Sequence, residues 1–197
     1  MSWWDAAYGG SPPWDIVAPQ PEIVGLADRN EILGKKVLDI GCGLGYNAIF
    51  LSRRGYLVTC LDIASTAIEK ARENARNEKA EVKFIVGDAL RMETYFGTKY
   101  FETVVDSGLF HSFPEEDRPV YADQVWKVLI NGGKCFVLCF SDKETGAGGP
   151  RRISKKELGE TFAGPFKINY IREGTFANRF FGGGARAYLA SMTKVEE

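Results

Sequence analysis

Short apolar runs alternate with amphipathic stretches along most of the chain. Apolar residues are nearly continuous at 36–40, 56–61, 82–86, 101–105 and 134–140, as in strands buried on both faces of a sheet. Between them, apolar positions recur at helical spacing. Residues 64–77 are the clearest case, with Ala67, Ile68, Ala71 and Ala75 on one face and charges opposite. Helices are also predicted over 22–33 with Gly34 as C-cap, over 46–54 stopped by Gly55, and over 115–129 between Pro114 and Asn131-Gly132-Gly133. A short helix or turn is expected over 89–95. This alternation predicts right-handed βαβ units and a mostly parallel sheet in an α/β domain.

The last third reads differently. Residues 146–150 form a loop, and Ser154 with Glu157 has capping-box spacing that opens a helix to Phe162. Strands over 166–172 and 185–193 have no helix between them and are expected to pair antiparallel. Residues 176–184, with Phe180, Phe181 and three consecutive glycines, are expected to form a loop near a pocket. At the other end Trp3, Trp4, Tyr8 and Trp14 crowd among prolines and glycines. Disordered tails are poor in aromatics, so residues 1–21 are expected to fold back, covering the core edge or a ligand pocket. No repeat is found, and 197 residues are read as one domain.

Composition narrows the partners. Lys and Arg number 25 against 26 Asp and Glu, so no global basic field favours nucleic acid or a membrane surface. Arg151 and Arg152 are candidates to bind an acidic acceptor group, and are read in preference as solvated loop charges. The N-terminus lacks the pattern of a signal peptide, and no apolar run approaches the roughly 20 residues that span a bilayer. Cys42, Cys60, Cys135 and Cys139 lack CxxC spacing and the chain has one histidine. They are read as reduced thiols in a cytoplasmic protein, with no metal site.

The chemistry centres on residues 37–45, V-L-D-I-G-C-G-L-G, a strand ending in a glycine turn before a helix. Backbone amides can approach a nucleotide-like ligand there, and the helix N-terminus adds partial positive charge. Gly41, Gly43 and Gly45 give GxGxG, and Tyr46 stands where the dinucleotide fingerprint needs its last glycine, which argues against a pyrophosphate. Asp39, just ahead of the turn, suits a cationic group or a held water. Asp62 ends the second strand at the offset of ribose-binding acids, and Asp88, between Gly87 and Ala89 after the third, is placed for an adenine amino group. His111 follows the fourth strand at the same edge, as a general base, an acceptor-orienting hydrogen bond, or a histidine satisfied beneath the next helix. Trp14, Phe110, Phe113, Phe180 and Phe181 are candidate walls of an acceptor pocket.

As an ordered set, V-L-D-I-G-C-G-L-G, Asp62, G-D-A-L at 87–90, V-V-D-S-G at 104–108 and L-I-N-G-G-K at 129–134 resembles class I S-adenosylmethionine-dependent methyltransferases. The likeness spans roughly residues 35–140 and continues into the final strand pair. It implies a seven-stranded, mostly parallel Rossmann-like sheet of order 3-2-1-4-5-7-6, strand 7 antiparallel, with helices on both faces. It also implies S-adenosyl-L-methionine, leaving as S-adenosyl-L-homocysteine, across strands one to three. Contacts to it are implied from Trp14, Asp39, Gly41, Cys42, Gly43 and Gly45. Asp62, Ile63, Gly87, Asp88 and Ala89 would follow on the next two strands, and Asp106 and Ser107 on the fourth.

P-P-W-D-I at 12–16, P-Q-P at 19–21, D-S-G-L-F-H at 106–111 and L-C-F-S-D at 138–142 are similar to small-molecule methyltransferases of the thiopurine and heterocycle-modifying kind. In those an aromatic N-terminal segment folds over cofactor and acceptor; here Val17 replaces the glycine of their W-D-x-G. The implied function is methyl transfer to O, S or N of a small aromatic or apolar molecule by a monomer or weak homodimer. The alternatives are methylation of protein or nucleic acid, disfavoured by the neutral charge and the lack of an Asn/Asp-Pro-Pro-aromatic motif, and a non-catalytic cofactor-binding protein. Asp39, Asp62 and Asp88 weigh against the latter.

Overall fold

The computed structural model describes residues 3–179 and 184–196. Helix α1 (Trp3–Gly9) and α2 (Pro21–Asp28) precede the first strand. Then β1 (Lys36–Ile40), α3 (Tyr46–Arg53), β2 (Leu57–Asp62), α4 (Ser65–Asn77) and β3 (Val82–Val86) follow in alternation. Next come α5 (Met92–Phe96), β4 (Phe101–Ser107), α6 (Arg118–Val128) and β5 (Leu129–Phe140). The chain closes with α7 (Lys155–Phe162), β6 (Phe166–Phe176) and β7 (Ala185–Lys194).

The seven strands lie in the order β3-β2-β1-β4-β5-β7-β6. The first five pair in parallel, and β7 is antiparallel to both β5 and β6. The sheet order and the reversed strand are as the family resemblance implies. Period-2 alternation divides the strands between two cores. Leu38, Ile40, Val104, Cys135, Val137 and Cys139 face α5, α6 and α7, whereas Val37, Val105, Phe136 and Leu138 face α2 and α3. Burial on both faces explains why the parallel strands are continuous apolar runs.

Three boundaries differ from expectation for local reasons. Helix α2 stops at Asp28 because Asn30 adopts a left-handed φ of 56°. The amides of Glu31 and Asn30 then donate to the carbonyls of Leu26 and Ala27, a Schellman closure built on Asn where Gly34 was the expected cap. Helix α6 ends at Val128, and Asn131-Gly132-Gly133 lies inside β5, absorbed by a register shift opposite Phe101 and Thr103. Strand β6 runs on to Phe176, which pairs with Ala185 and is therefore a strand residue, not part of a loop. The capping box is present, with Ser154 and Glu157 each accepting from the other's backbone amide.

Candidate active site

Strands β1 to β4 all end at one edge of the sheet, the ligand-binding edge of open parallel sheets. The loops that leave them enclose a cavity of about 1060 Å³, at the upper end of single-ligand pockets. One half is lined by the glycine turn and the ends of β2 and β3. The other is walled by Phe113, Phe140 and Phe176 with His111 among them.

The glycine turn is held in a conformation that side chains resist. Gly41, Gly43 and Gly45 have φ of 64°, 52° and 79°. A Cβ on Gly41 would stand 2.8 Å from Leu109 Cβ, and one on Gly43 2.6 Å from the Tyr8 hydroxyl. Gly45 serves packing: its Cβ would press on Ala71 at 3.1 Å, at the N-cap of α3. Asp62 braces the turn, accepting from the Gly43 amide at 2.8 Å and the Ala64 amide at 2.9 Å, while burial raises its pKa. Cys42 lines the cavity as a half-buried thiol whose pKa desolvation pushes up. Ile63, half exposed, lines it beside Asp62. Asp88 caps the short 3-10 turn over 89–91 by accepting from the Leu90 amide at 2.8 Å, and lines the cavity with Gly87 and Ala89.

Two polar side chains are left unsatisfied at this edge. Asp39 is buried beneath the turn and does not itself line the cavity; neither carboxylate oxygen is hydrogen-bonded, although the nearby Ala48 amide favours its charged form. Desolvation, then the charges of Asp106 and Asp62, push its pKa up to about 8. Ser107 lines the cavity with a buried, unpartnered hydroxyl. Orphaned buried polar groups are costly and mark places where a ligand completes the bonding. An ammonium near Asp39 and a nucleoside along Asp62, Ile63 and Asp88 would complete this half, so the residues present fit an amino-acid-bearing nucleoside.

Other expected site residues lie elsewhere. Asp106 is fully buried and turned into the core, accepting from the Tyr121 hydroxyl at 2.5 Å and from the Leu109 and Phe110 amides. It does not line the cavity; it anchors the turn that carries His111, and burial lifts its pKa to about 6. Phe110 packs against Tyr121 and Phe162 in the core, so it is no pocket wall. Phe180 and Phe181 lie outside the described residues. Phe140 and Phe176 line the cavity although neither was among the candidate walls; Phe140 lies in the L-C-F-S-D motif and Phe176 opens the stretch expected near a pocket. Arg152 is not a solvated charge, since carbonyls of Pro150 and Gly146 accept from it and it lies 5.6 Å over the Phe140 ring. Arg151 lines the cavity and pairs with Glu157 and Glu115.

His111 is 7% exposed, and its Nδ1 accepts from the Phe140 amide at 3.0 Å. Burial, helped by the charge of Arg152, lowers its pKa to about 3. Above the turn, Tyr8 accepts from Trp14 Nε1 at 3.1 Å, and both pack with Trp4. Helix α1 is pinned to α4 by Asp5, which accepts from Ser65 Oγ and the Thr66 amide, and by Lys70, which donates to the Tyr8 carbonyl. Residues 11–20 are tied to the far side, where Gln20 exchanges two hydrogen bonds with the Ala177 backbone and Pro13 accepts from the Arg179 amide. Among the described residues no cluster of His, Cys, Asp and Glu suits a metal ion, and no helix is long and apolar enough to cross a membrane.

Sheet order, glycine turn and strand-end acids together define a nucleoside-binding α/β fold of the methyltransferase type. The family described as a methyltransferase domain matches residues 37–133. The chain is 36% identical over 184 residues, 90% of itself and 79% of the relative, to a 2-heptyl-1-hydroxyquinolin-4(1H)-one methyltransferase of Mycobacteroides abscessus. It is 28% identical over 154 residues, 78% of itself and 66% of the relative, to a probable thiol methyltransferase of Arabidopsis thaliana. A solved structure described by the conversion of a disulfide bond into a thioacetal group during echinomycin biosynthesis superposes with a TM-score of 0.88 at 32% identity, over 98% of this chain and 91% of that one. The chain belongs to the S-adenosylmethionine-dependent methyltransferases, with S-adenosyl-L-methionine as its cofactor.

Proposed function

We propose that this enzyme methylates a heteroatom of a small, flat, apolar molecule. The observation that carries the reading is the two-part cavity, whose polar half is lined by the glycine turn, Asp62, Asp88 and the unsatisfied Ser107 hydroxyl and whose other half is aromatic. The substrates named for the relatives, a hydroxyquinolone and thiols, have the size and character such a half would take. S-adenosylmethionine supplies, when bound, a methyl group already activated on a sulfonium. The protein is then required to orient the acceptor and exclude water.

In this reading Asp62 takes the ribose hydroxyls, Asp88 the adenine amino group, and Asp39 the ammonium, directly or through water. Gly41, Cys42, Gly43, Ile63, Gly87, Ala89 and Ser107 shape the walls around them, and Gly45 sets the helix start. Trp14 and residues 1–21 close the cavity as a lid, which the Tyr8 hydroxyl above Gly43 supports. The near-neutral charge supports action on neither nucleic acid nor membrane, the free cysteines support a cytoplasmic location, and the reading takes the enzyme as a monomer or weak homodimer. Calorimetry with S-adenosylmethionine and S-adenosylhomocysteine, followed by labelled-methyl transfer to a panel of thiols, phenols and N-heterocycles, tests it. Turnover confined to a protein or nucleic-acid acceptor would refute it.

A further inference from the structure

The Phe140 amide sits on β5, in register with the sheet, and occupies the Nδ1 lone pair of His111 at 3.0 Å. A neutral imidazole with Nδ1 accepting must carry its only proton on Nε2. Turning the ring over would break this bond, which fixes the tautomer. Gly108 keeps the space beside Nε2 open, for a Cβ there would stand 3.5 Å from it and 2.9 Å from the Phe176 ring. The side chain that lines the acceptor half therefore offers a donor and no free lone pair.

Among the described residues, no other group in the cavity lining supplies a base to that half. Asp15 accepts from the Val17 amide and pairs with Arg179. Asp62 and Asp88 belong to the cofactor half and accept from backbone amides. Tyr8 and Cys42 are held protonated by burial. The cation Arg151 lines the cavity, and Arg152 lies over Phe140, whose ring is 5.2 Å from that of His111. A donor backed by fixed positive charge stabilises an anion and does not take a proton.

We propose that His111 binds the acceptor through Nε2–H, and that the enzyme selects molecules whose nucleophilic group has already ionised in water near neutral pH, such as aromatic thiols and acidic ring hydroxyls. This rests on the small-molecule methyltransferase reading above. The acceptor's proton leaves to solvent before entry. The acceptor anion's lone pair then forms the bond to the methyl carbon as the carbon–sulfur bond breaks with its pair going to sulfur, so no proton reaches His111.

Nitrogen NMR on tag-free, 15N-histidine-labelled enzyme reads the tautomer directly, because the chain has a single histidine. Nε2 is expected to carry the proton, with Nδ1 bare, unchanged from about pH 5 to about pH 8. A proton on Nδ1, or a titration between those limits, overturns the proposal whether or not any acceptor is found. Among acceptors that are turned over, the acidic limb of kcat/KM is expected to move with each acceptor's own pKa. A limb fixed across acceptors of graded acidity overturns it. His111→Gln, which restores a donor, is expected to stay within about 10-fold of the parent while His111→Leu loses about 10- to 100-fold, the worth of a hydrogen bond to an anion. Equal loss in both folded variants counts against the donor role. Absence of cofactor binding instead refutes the methyltransferase reading, leaving the tautomer result to stand on its own.

Discussion

Replacing Gly43 with alanine tests whether the N-terminal segment rests on the glycine turn. Two costs are predicted. At φ 52° a residue with a Cβ pays about 1–2 kcal/mol for the left-handed conformation. The new methyl also arrives 2.6 Å from the Tyr8 hydroxyl, and displacing that ring disturbs its bond to Trp14, an overpacking penalty of about 1–3 kcal/mol. Gly43→Ala should therefore lose about 2–5 kcal/mol in urea unfolding without ligand. Tyr8→Phe alone forfeits one part-buried hydrogen bond, about 1 kcal/mol. It also removes the atom that the methyl would strike. The double variant should thus be less unstable than the sum of the singles by about 1–3 kcal/mol. Additivity within about 0.5 kcal/mol would refute the contact, since that is how independent sites behave.

Three further outcomes are expected. Asp39, with a folded pKa of about 8 against an unfolded value near 4, holds an extra proton in the native state, so its contribution makes stability fall as pH rises through that window. Asp39→Asn should flatten the pH–stability curve, and parent enzyme should release nearly one proton on binding cofactor at pH 7; calorimetry in buffers of different ionisation enthalpy showing no release in the parent would count against an ammonium at Asp39. Tyr121→Phe strips the shortest bond from buried Asp106 and should cost about 1–3 kcal/mol in thermal unfolding while leaving cofactor affinity near the parent value, because Asp106 does not line the cavity. Asp5→Ala removes the acceptor at the start of α4 and should cost about 0.5–2 kcal/mol, read as faster protease cleavage within residues 1–20 and faster cofactor release.

Much of this was legible along the chain because it depends on neighbours in sequence. The apolar runs located the five parallel strands, the Ser154–Glu157 box its helix, and the glycine turn with Asp62 and Asp88 one edge of the cavity. Asp39 also stood out, as an acid within an apolar run. Reading failed where the deciding partner was distant. Asp106 resembled its neighbours at the strand ends, yet Tyr121 on α6 turns it inward. Asn131-Gly132-Gly133 resembled a helix stop, yet pairing with β4 carries it into a strand. Phe140 read as a buried strand residue and Phe176 as the start of a loop, and only the pairing of β5 with β7 and of β7 with β6 brings them beside His111.

The sequence by itself determined the fold class, the sheet order through its family resemblance, and the chemical type of the cofactor, since these follow from periodicity and from motifs a few residues long. Tertiary structure decided what His111 can do. Its position after β4 is local information, but its proton is placed by an amide 29 residues away on β5. A hydrogen bond takes its sense from whichever group the fold brings opposite, and no pattern of neighbouring residues encodes that partner.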